Sequence, residues 1–157
     1  MRALMLVLPV GIGVVMFSRG GELAAPAPLL TGVSLLAGGM LSAFTHLSTL
    51  RLKITDINAN ESSDRFEAER GMLDETAAHL LTGSLFCALN AAVLVLGMNV
   101  SVSAKGHLTG VLAAMATGIS SYIILLFVIV LPRLYFAYVE MNNVSVALNG
   151  FDRRKHE

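Results

Sequence analysis

Long uncharged runs are the feature that most limits what this chain can fold into. Four apolar stretches, at about residues 3–18, 29–50, 77–98 and 108–131, fill most of its 157 residues. The last three contain no Asp, Glu, Lys or Arg. Crossing a hydrocarbon core about 30 Å thick takes about 17–25 apolar residues in helix. The expected fold class is therefore all-α: a polytopic membrane protein with four transmembrane helices arranged as two hairpins. Residues 51–76 separate the pairs and extend spans two and three into the cytoplasm as a helical hairpin.

Composition agrees with this reading. A hydrophobic fraction of 55% and a charged fraction of 14% lie on the membrane side of soluble averages of about 45–50% and about 25%. Little chain is left for a separate folded domain, so residues 1–157 read as one helical bundle. Cys87 is the single cysteine, which excludes an intrachain disulfide and a CxxC redox pair; it reads as a small buried apolar residue. A formal charge of zero gives no sign of direct nucleic-acid binding.

The first span is the weakest. Met1-Arg2 followed by Ala3–Phe17 also has the order of a signal-peptide n-region and h-region. The segment Ser18–Pro26 has small residues but no clean A-x-A site, and a retained, short and tilted helix is expected. Pro9, Gly11 and Gly13 make it kinkable and let a neighbour approach closely.

Basic residues give the orientation, since Lys and Arg near span ends stay on the cytoplasmic side. Placing the N-terminus inside puts Arg2, Arg51, Lys53, Arg65, Arg70, Arg133, Arg153, Arg154 and Lys155 there, and leaves Arg19 and Lys105 outside. The expected location is the bacterial inner membrane, with both termini cytoplasmic and two short outer loops.

In the 51–76 hairpin, Leu50, Ile54 and Ile57 keep helical spacing, and Asn58–Ser63 reads as the turn. Ser62 or Ser63 is placed to cap the next helix, and Phe66, Leu73 and Leu80 repeat every seven residues. Gly71 is the expected bend. The hairpin's acidic residues have a plain reading as solvated, salt-bridged surface. The functional reading makes Glu67, Glu69, Asp74 and Glu75 a docking face for a cytosolic protein partner. The acidic run lacks the ligand spacing of a calcium loop. Residues 132–157 form a cytoplasmic tail, with a kink at Pro132 and helix continuing to Leu148, where Asn149-Gly150 stops it. Arg153, Arg154 and Lys155 then suit anionic lipid or the same partner.

Small residues recur at four-residue spacing: Ser34, Gly38 and Ser42 in span two, and Gly110, Ala114 and Gly118 in span four. Such stripes let helix backbones meet closely, within a subunit or between subunits of a homo-oligomer. Polar residues inside the spans are the candidate gate or pore groups: His46, Asn90, Thr117, Ser120 and Ser121. Intramembrane polar groups usually turn inward and find partners. A histidine can also sense protons, although a neutral packing role is commoner. Ser and Thr also bond back to their own helix carbonyls.

No HExxH, nucleophile elbow, P-loop, CxxC or intramembrane acidic pair is present, so an enzyme, a cofactor and a metal site are not expected. Ala37-Gly38-Gly39-Met40, Arg51-Leu52-Lys53 and Thr117-Gly118-Ile119-Ser120, set in the four-span layout, carry a resemblance to a known family. The chain resembles RexB-like membrane proteins of phage exclusion and, more loosely, small membrane subunits of Kiwa-like antiphage systems. The hairpin is longer and more acidic than in the RexB-like proteins. The resemblance implies an effector or sensor that perturbs the membrane when a cytosolic partner signals. Two other classes stand beside it: a non-conducting scaffold that recruits a cytosolic protein, and a holin-type membrane-lesion protein.

The topology is directly testable. Cysteines introduced at Ala24 and Ser103 should react with an impermeant thiol reagent applied to intact cells, and one at Ser62 should not. Labelling at Ser62 from outside would invert the orientation.

Overall fold

A computed structural model describes the backbone of residues 2–57 and 64–148 and the side chains of residues 7–49, 51–52 and 71–135. Four helices account for nearly all of these residues: α1 (Arg2–Ser18), α2 (Pro26–Ile57), α3 (Asp64–Val100) and α4 (Gly110–Leu148). In hydrocarbon every backbone N–H and C=O has to be paired inside the protein, and a helix does this within its own segment. Three helices are long and apolar enough to cross a membrane, over Pro26–Thr49, Gly71–Val100 and Gly110–Tyr135. The apolar part of α1, Val7–Ser18, is shorter. At 1.5 Å per residue α2, α3 and α4 run for about 48, 56 and 58 Å, well past their apolar windows. Both Gly71 and Pro132 lie inside continuous helix.

The core is organised on α3. Its buried residues are Leu73, Thr76, Leu80, Gly83, Cys87, Asn90, Leu94 and Gly97, with Val93 beside them. Steps of three and four alternate along that series without a break. This is the 3.5-residue period of a left-handed helix seam, in which each knob enters a hole on the facing helix. Pro26, Val33, Met40 and Leu47 answer it from α2, with Leu29, Leu36 and Ala43 half-buried between them. Ala116, Ile123, Leu126 and Val130 answer from α4. Gly83 leaves the space that Met40 fills: a Cβ there would lie 2.6 Å from the Met40 sulfur.

All of these neighbours are antiparallel. Helix α3 packs on both α2 and α4, and the substantial contact of α1 is with α4. A hairpin of α1 against α2 is therefore not the main packing of the first helix. Local chemistry accounts for this. A Cβ on Gly13 would sit 3.2 Å from the Ala114 carbonyl oxygen, and one on Gly118 would sit 3.2 Å from the Pro9 carbonyl oxygen. The small-residue stripe of α4 is thus used within the chain, at Ala114 and Gly118, to bring two backbones together. Gly110, its third member, stands at the start of α4 with open space around it.

Helix α1 ends in a Schellman motif. The Gly21 N–H bonds the Met16 oxygen at 2.9 Å and the Gly20 N–H bonds the Phe17 oxygen at 3.1 Å. Gly20 has φ 61°, the left-handed conformation that this cap requires and glycine adopts at least cost. The chain then turns back, and Leu23 forms an isolated antiparallel bridge with Leu108 from the α3–α4 connection.

The α1–α4 crossing makes a prediction. Gly118→Leu forces side-chain atoms against the Pro9 backbone and should cost about 1–3 kcal/mol of stability. Gly11→Leu, at a position with nothing within 4 Å, should cost far less. Thermal unfolding of both variants in one detergent measures the difference; equal losses would show that α1 is not held by this crossing.

Candidate functional site

The polar residues inside the spans fall into three groups. The first is a buried pair. Asn90 is fully buried, and its Nδ2 donates to the Ser120 hydroxyl at 2.8 Å across the α3–α4 seam. Ser120 in turn donates to the Ala116 carbonyl at 2.7 Å. The Asn90 Oδ1 is buried with no hydrogen-bond partner. An unsatisfied buried acceptor costs about 1–3 kcal/mol, so the seam tolerates Asn90 at a position where an apolar residue would pack without that penalty.

Hydroxyls that satisfy themselves form the second group. Thr117 bonds the Ala113 oxygen at 2.8 Å, and Ser121 bonds the Thr117 and Gly118 oxygens at 3.0 and 2.8 Å. Thr76 and Thr82 do the same with Met72 and Ala78, and the His79 Nδ1 donates to the Glu75 backbone oxygen at 2.6 Å. Of the candidate polar residues, the fold brings together Asn90 and Ser120. Thr117 and Ser121 flank them on α4, and His46 lies elsewhere.

The outward face of α2 is the third group. Thr31, Ser34, Gly38, Gly39, Ser42, Thr45, His46 and Thr49 are all exposed, on the side opposite Val33, Met40 and Leu47. Thr31, Thr45 and Thr49 bond back to Ala27, Leu41 and Thr45. Among the described residues, the side chains of Ser34, Ser42 and His46 have no hydrogen-bond partner. A Cβ added to Gly38 or Gly39 would meet nothing within 4 Å. The outward faces of the other two long helices are quite different: Leu81, Leu85, Leu89 and Leu96 on α3, and Ile124, Phe127, Val128 and Leu131 on α4. Those faces suit lipid tails, whereas that of α2 is mixed, its small and polar residues interrupted by the exposed Leu35 and Leu41.

Charge collects at the helix ends. The Arg51 guanidinium grips Asp74 with two contacts, Nε–Oδ1 at 2.7 Å and Nη2–Oδ2 at 2.8 Å. Arg133 reaches Glu75 at 3.0 Å. These pairs tie α2 to α3 and α3 to α4 where the apolar windows end. Two of the four acidic residues of the expected docking face are thus engaged within the chain. The side chains of Glu67 and Glu69, the Asn58–Ser63 turn, and Arg153, Arg154 and Lys155 lie outside the described residues.

An apolar cleft of about 460 Å³ lies between α1, α3 and α4, lined by residues that include Pro9, Phe86, Ala114, Ile119 and Tyr122. The rings of Phe86 and Tyr122 pack in a tilted arrangement on its wall, centroids 4.6 Å apart at 59°. Its size suits a ligand pocket, but it lacks the convergent polar groups that orient small molecules. No group of three metal-binding side chains occurs among the described residues. No protein-family model, curated protein or solved structure matches the chain.

Sequence reading missed the pairing of Asp74 with Arg51 and of Glu75 with Arg133. A signal for both existed, because each basic residue sits just beyond its apolar run and the two acidic residues sit just before theirs. The buried pair predicts a split between its two sides. Ser120→Ala leaves both polar atoms of Asn90 unpartnered and should lower stability by about 1–2 kcal/mol. Asn90→Leu removes the orphan and should match or exceed wild type. Denaturant unfolding in mild detergent reads both; a large loss in Asn90→Leu would mean that the carboxamide is required for packing.

Proposed function

We propose that this chain is a subunit of an oligomeric, channel-like effector or sensor in the bacterial inner membrane, in which copies of α2 meet around a shared axis. The observation that carries this reading is the outward face of α2. Polar groups at bilayer depth are rare on lipid-facing surfaces and usually face a bundle interior or a water-filled path. In a single copy, Ser34, Ser42 and His46 face away from the core. A ring of α2 helices would give them an interior, and Gly38 and Gly39 would let the backbones approach. Helices α3 and α4 would then form the lipid-facing rim, with α1 as a fourth, tilted span against α4.

The pattern of basic residues supports placing both termini, and the end bearing the Arg51–Asp74 and Arg133–Glu75 pairs, in the cytoplasm. A cytosolic partner acting on that end would pull on α2, α3 and α4 together, because the two ion pairs join them. Glu67, Glu69 and the basic tail are the groups proposed to receive it. A role in antiphage defence rests on the resemblance to phage-exclusion proteins, and perturbation of the membrane on a partner's signal follows from the same likeness.

Cross-linking between copies tests the reading. Ser42→Cys, placed on the outward face of α2, should form a disulfide-linked dimer on mild oxidation in native membranes. Leu85→Cys, on the outward face of α3, should not. Gly38→Leu touches nothing in its own chain and should reduce the complex to a smaller species in detergent while leaving the unfolding temperature unchanged. Proteoliposomes carrying it should also lose the ion leak of wild type. A wild-type chain that is monomeric in the bilayer, with no Ser42→Cys dimer, would sink the proposal.

A further inference from the structure

The apolar cleft between α1, α3 and α4 follows from the way α1 is held. Gly13, Ala114 and Gly118 bring α1 close to α4, and α1 makes no comparable contact with α3. A wedge therefore stays open between α1 and α3, with α4 as its floor. Val14 and Phe17 line it from α1, Val111 and Met115 from α4, and Phe86 from α3. Antiparallel packing sets Pro9 against Gly118 and Gly13 against Ala114, which brings Phe17 level with Val111. From Val111 to Tyr122 the cleft follows α4 for about 16 Å at about 1.5 Å per residue. That is half of a hydrocarbon core about 30 Å thick, the depth of one leaflet. The α4 lining falls within the apolar window Gly110–Tyr135, and Phe86 falls within Gly71–Val100.

We propose that this cleft is a phospholipid site, in which one acyl chain of an anionic lipid lies along α4 between α1 and α3. Left empty, its walls would lose the dispersion contacts that a neighbour supplies. A polar occupant would strand its own polar groups against an apolar lining, whereas a hydrocarbon chain needs no partner. The headgroup follows from charge at the end where Phe17 and Val111 lie. Arg19 follows Phe17 by two residues, and Lys105 stands in the α3–α4 connection, which Leu23 and Leu108 bond to the α1–α2 connection. Both side chains are exposed, and neither is in an ion pair among the described residues. Glu22, the one carboxylate of the two connections, lies 2.8 Å from His107. Two basic groups against one engaged carboxylate leave this end with a positive surplus, which suits a phosphate-bearing headgroup. The bound chain would join α1 to α3, a contact that the protein does not make for itself. The site does not involve the outward face of α2, so it stands whether or not copies of α2 meet.

The chain has no tryptophan, so a single introduced one reports its own surroundings. Phe86→Trp puts that reporter on the cleft wall, and Leu85→Trp puts it on the exposed face of α3. Each full-length variant is reconstituted in phosphatidylcholine vesicles with a rising fraction of phosphatidylglycerol whose brominated acyl chains quench tryptophan on contact. Quenching of Leu85→Trp should follow the bulk fraction. Phe86→Trp should reach half its limit at a fraction about fivefold lower, the preference expected of one net basic charge at the membrane surface. Adding Arg19→Gln and Lys105→Gln should bring the two curves together. Wild type is tested beside them by native mass spectrometry from mild detergent containing equal phosphatidylglycerol and phosphatidylcholine. It should retain the anionic lipid by a similar factor, and the double charge variant should not. Equal retention of the two lipids by wild type would overturn the site, and so would a preference that survives loss of both charges. A folded Phe86→Trp variant that no brominated lipid quenches would also overturn it, and would give the cleft to another occupant such as a second copy.

Discussion

The alternating three- and four-residue seam along α3 is the constraint from which the rest of the arrangement follows. In lipid, helices gain nothing by hiding apolar surface from each other, so association depends on close packing and a few interhelical bonds. A helix that presents Leu73, Thr76, Leu80, Gly83, Cys87, Asn90, Leu94 and Gly97 in unbroken register offers a continuous groove for two antiparallel partners. Helices α2 and α4 take those places, and each is left with a free side. Helix α4 uses its free side for α1, through Ala114 and Gly118. Helix α2 has no such partner, and among the described residues its outward face leaves several hydroxyls, two glycines and an imidazole uncovered beside Leu35 and Leu41.

Charges fix this packing at both ends without adding much stability. Exposed pairs such as Arg51–Asp74, Arg133–Glu75 and Glu22–His107 are worth about 0–1 kcal/mol each. Their value is positional. A seam of small and apolar side chains tolerates sliding by a heptad better than it tolerates stranded charge, and a bidentate Arg51–Asp74 contact forms in one register only. In the proposed function the same pairs would give a route from the helix ends to the membrane. A partner that competes for Asp74 or Glu75 would release α2 or α4 from α3. Coupling of that kind needs two discrete helix arrangements, and the orphaned Oδ1 of Asn90 marks a place where the packed arrangement is less than fully satisfied.

Much of the helical architecture was legible in the sequence because uncharged runs of more than twenty residues leave few alternatives. Three spanning helices follow from length and hydropathy alone. The seam on α3 was legible only in part. Phe66, Leu73 and Leu80 announce a seven-residue repeat, but its continuation passes through Thr76, Gly83, Asn90 and Gly97, where burial keeps the period and hydrophobicity does not. Small-residue stripes show a different limit. Ser34-Gly38-Ser42 and Gly110-Ala114-Gly118 look alike in sequence, yet the first is wholly exposed and the second is half covered by α1. Spacing defines a face on a helix; what lies opposite that face is decided by which other helix reaches it. For the same reason Asp74 and Glu75 read as part of a salt-bridged acidic surface without named partners, until α2 and α4 bring Arg51 and Arg133 alongside.

The chemistry of the α2 face also bears on the change of state that the proposed function requires. Thr31, Thr45 and Thr49 donate to carbonyls of their own helix, so their hydroxyl protons are satisfied whether lipid, water or another helix lies outside. Only Ser34, Ser42 and His46 are left to gain from a new neighbour. If copies meet through it as proposed, such a face would pay a small penalty in lipid and make a small gain in contact with a second copy, which would keep the two arrangements close in free energy. A face of leucines would be indifferent to the change, and a face of aspartates would forbid one of the two states. In the proposed assembly, mixing self-satisfied threonines with a few unpartnered groups and two glycines would give α2 a surface that a modest signal from the helix ends could move between them.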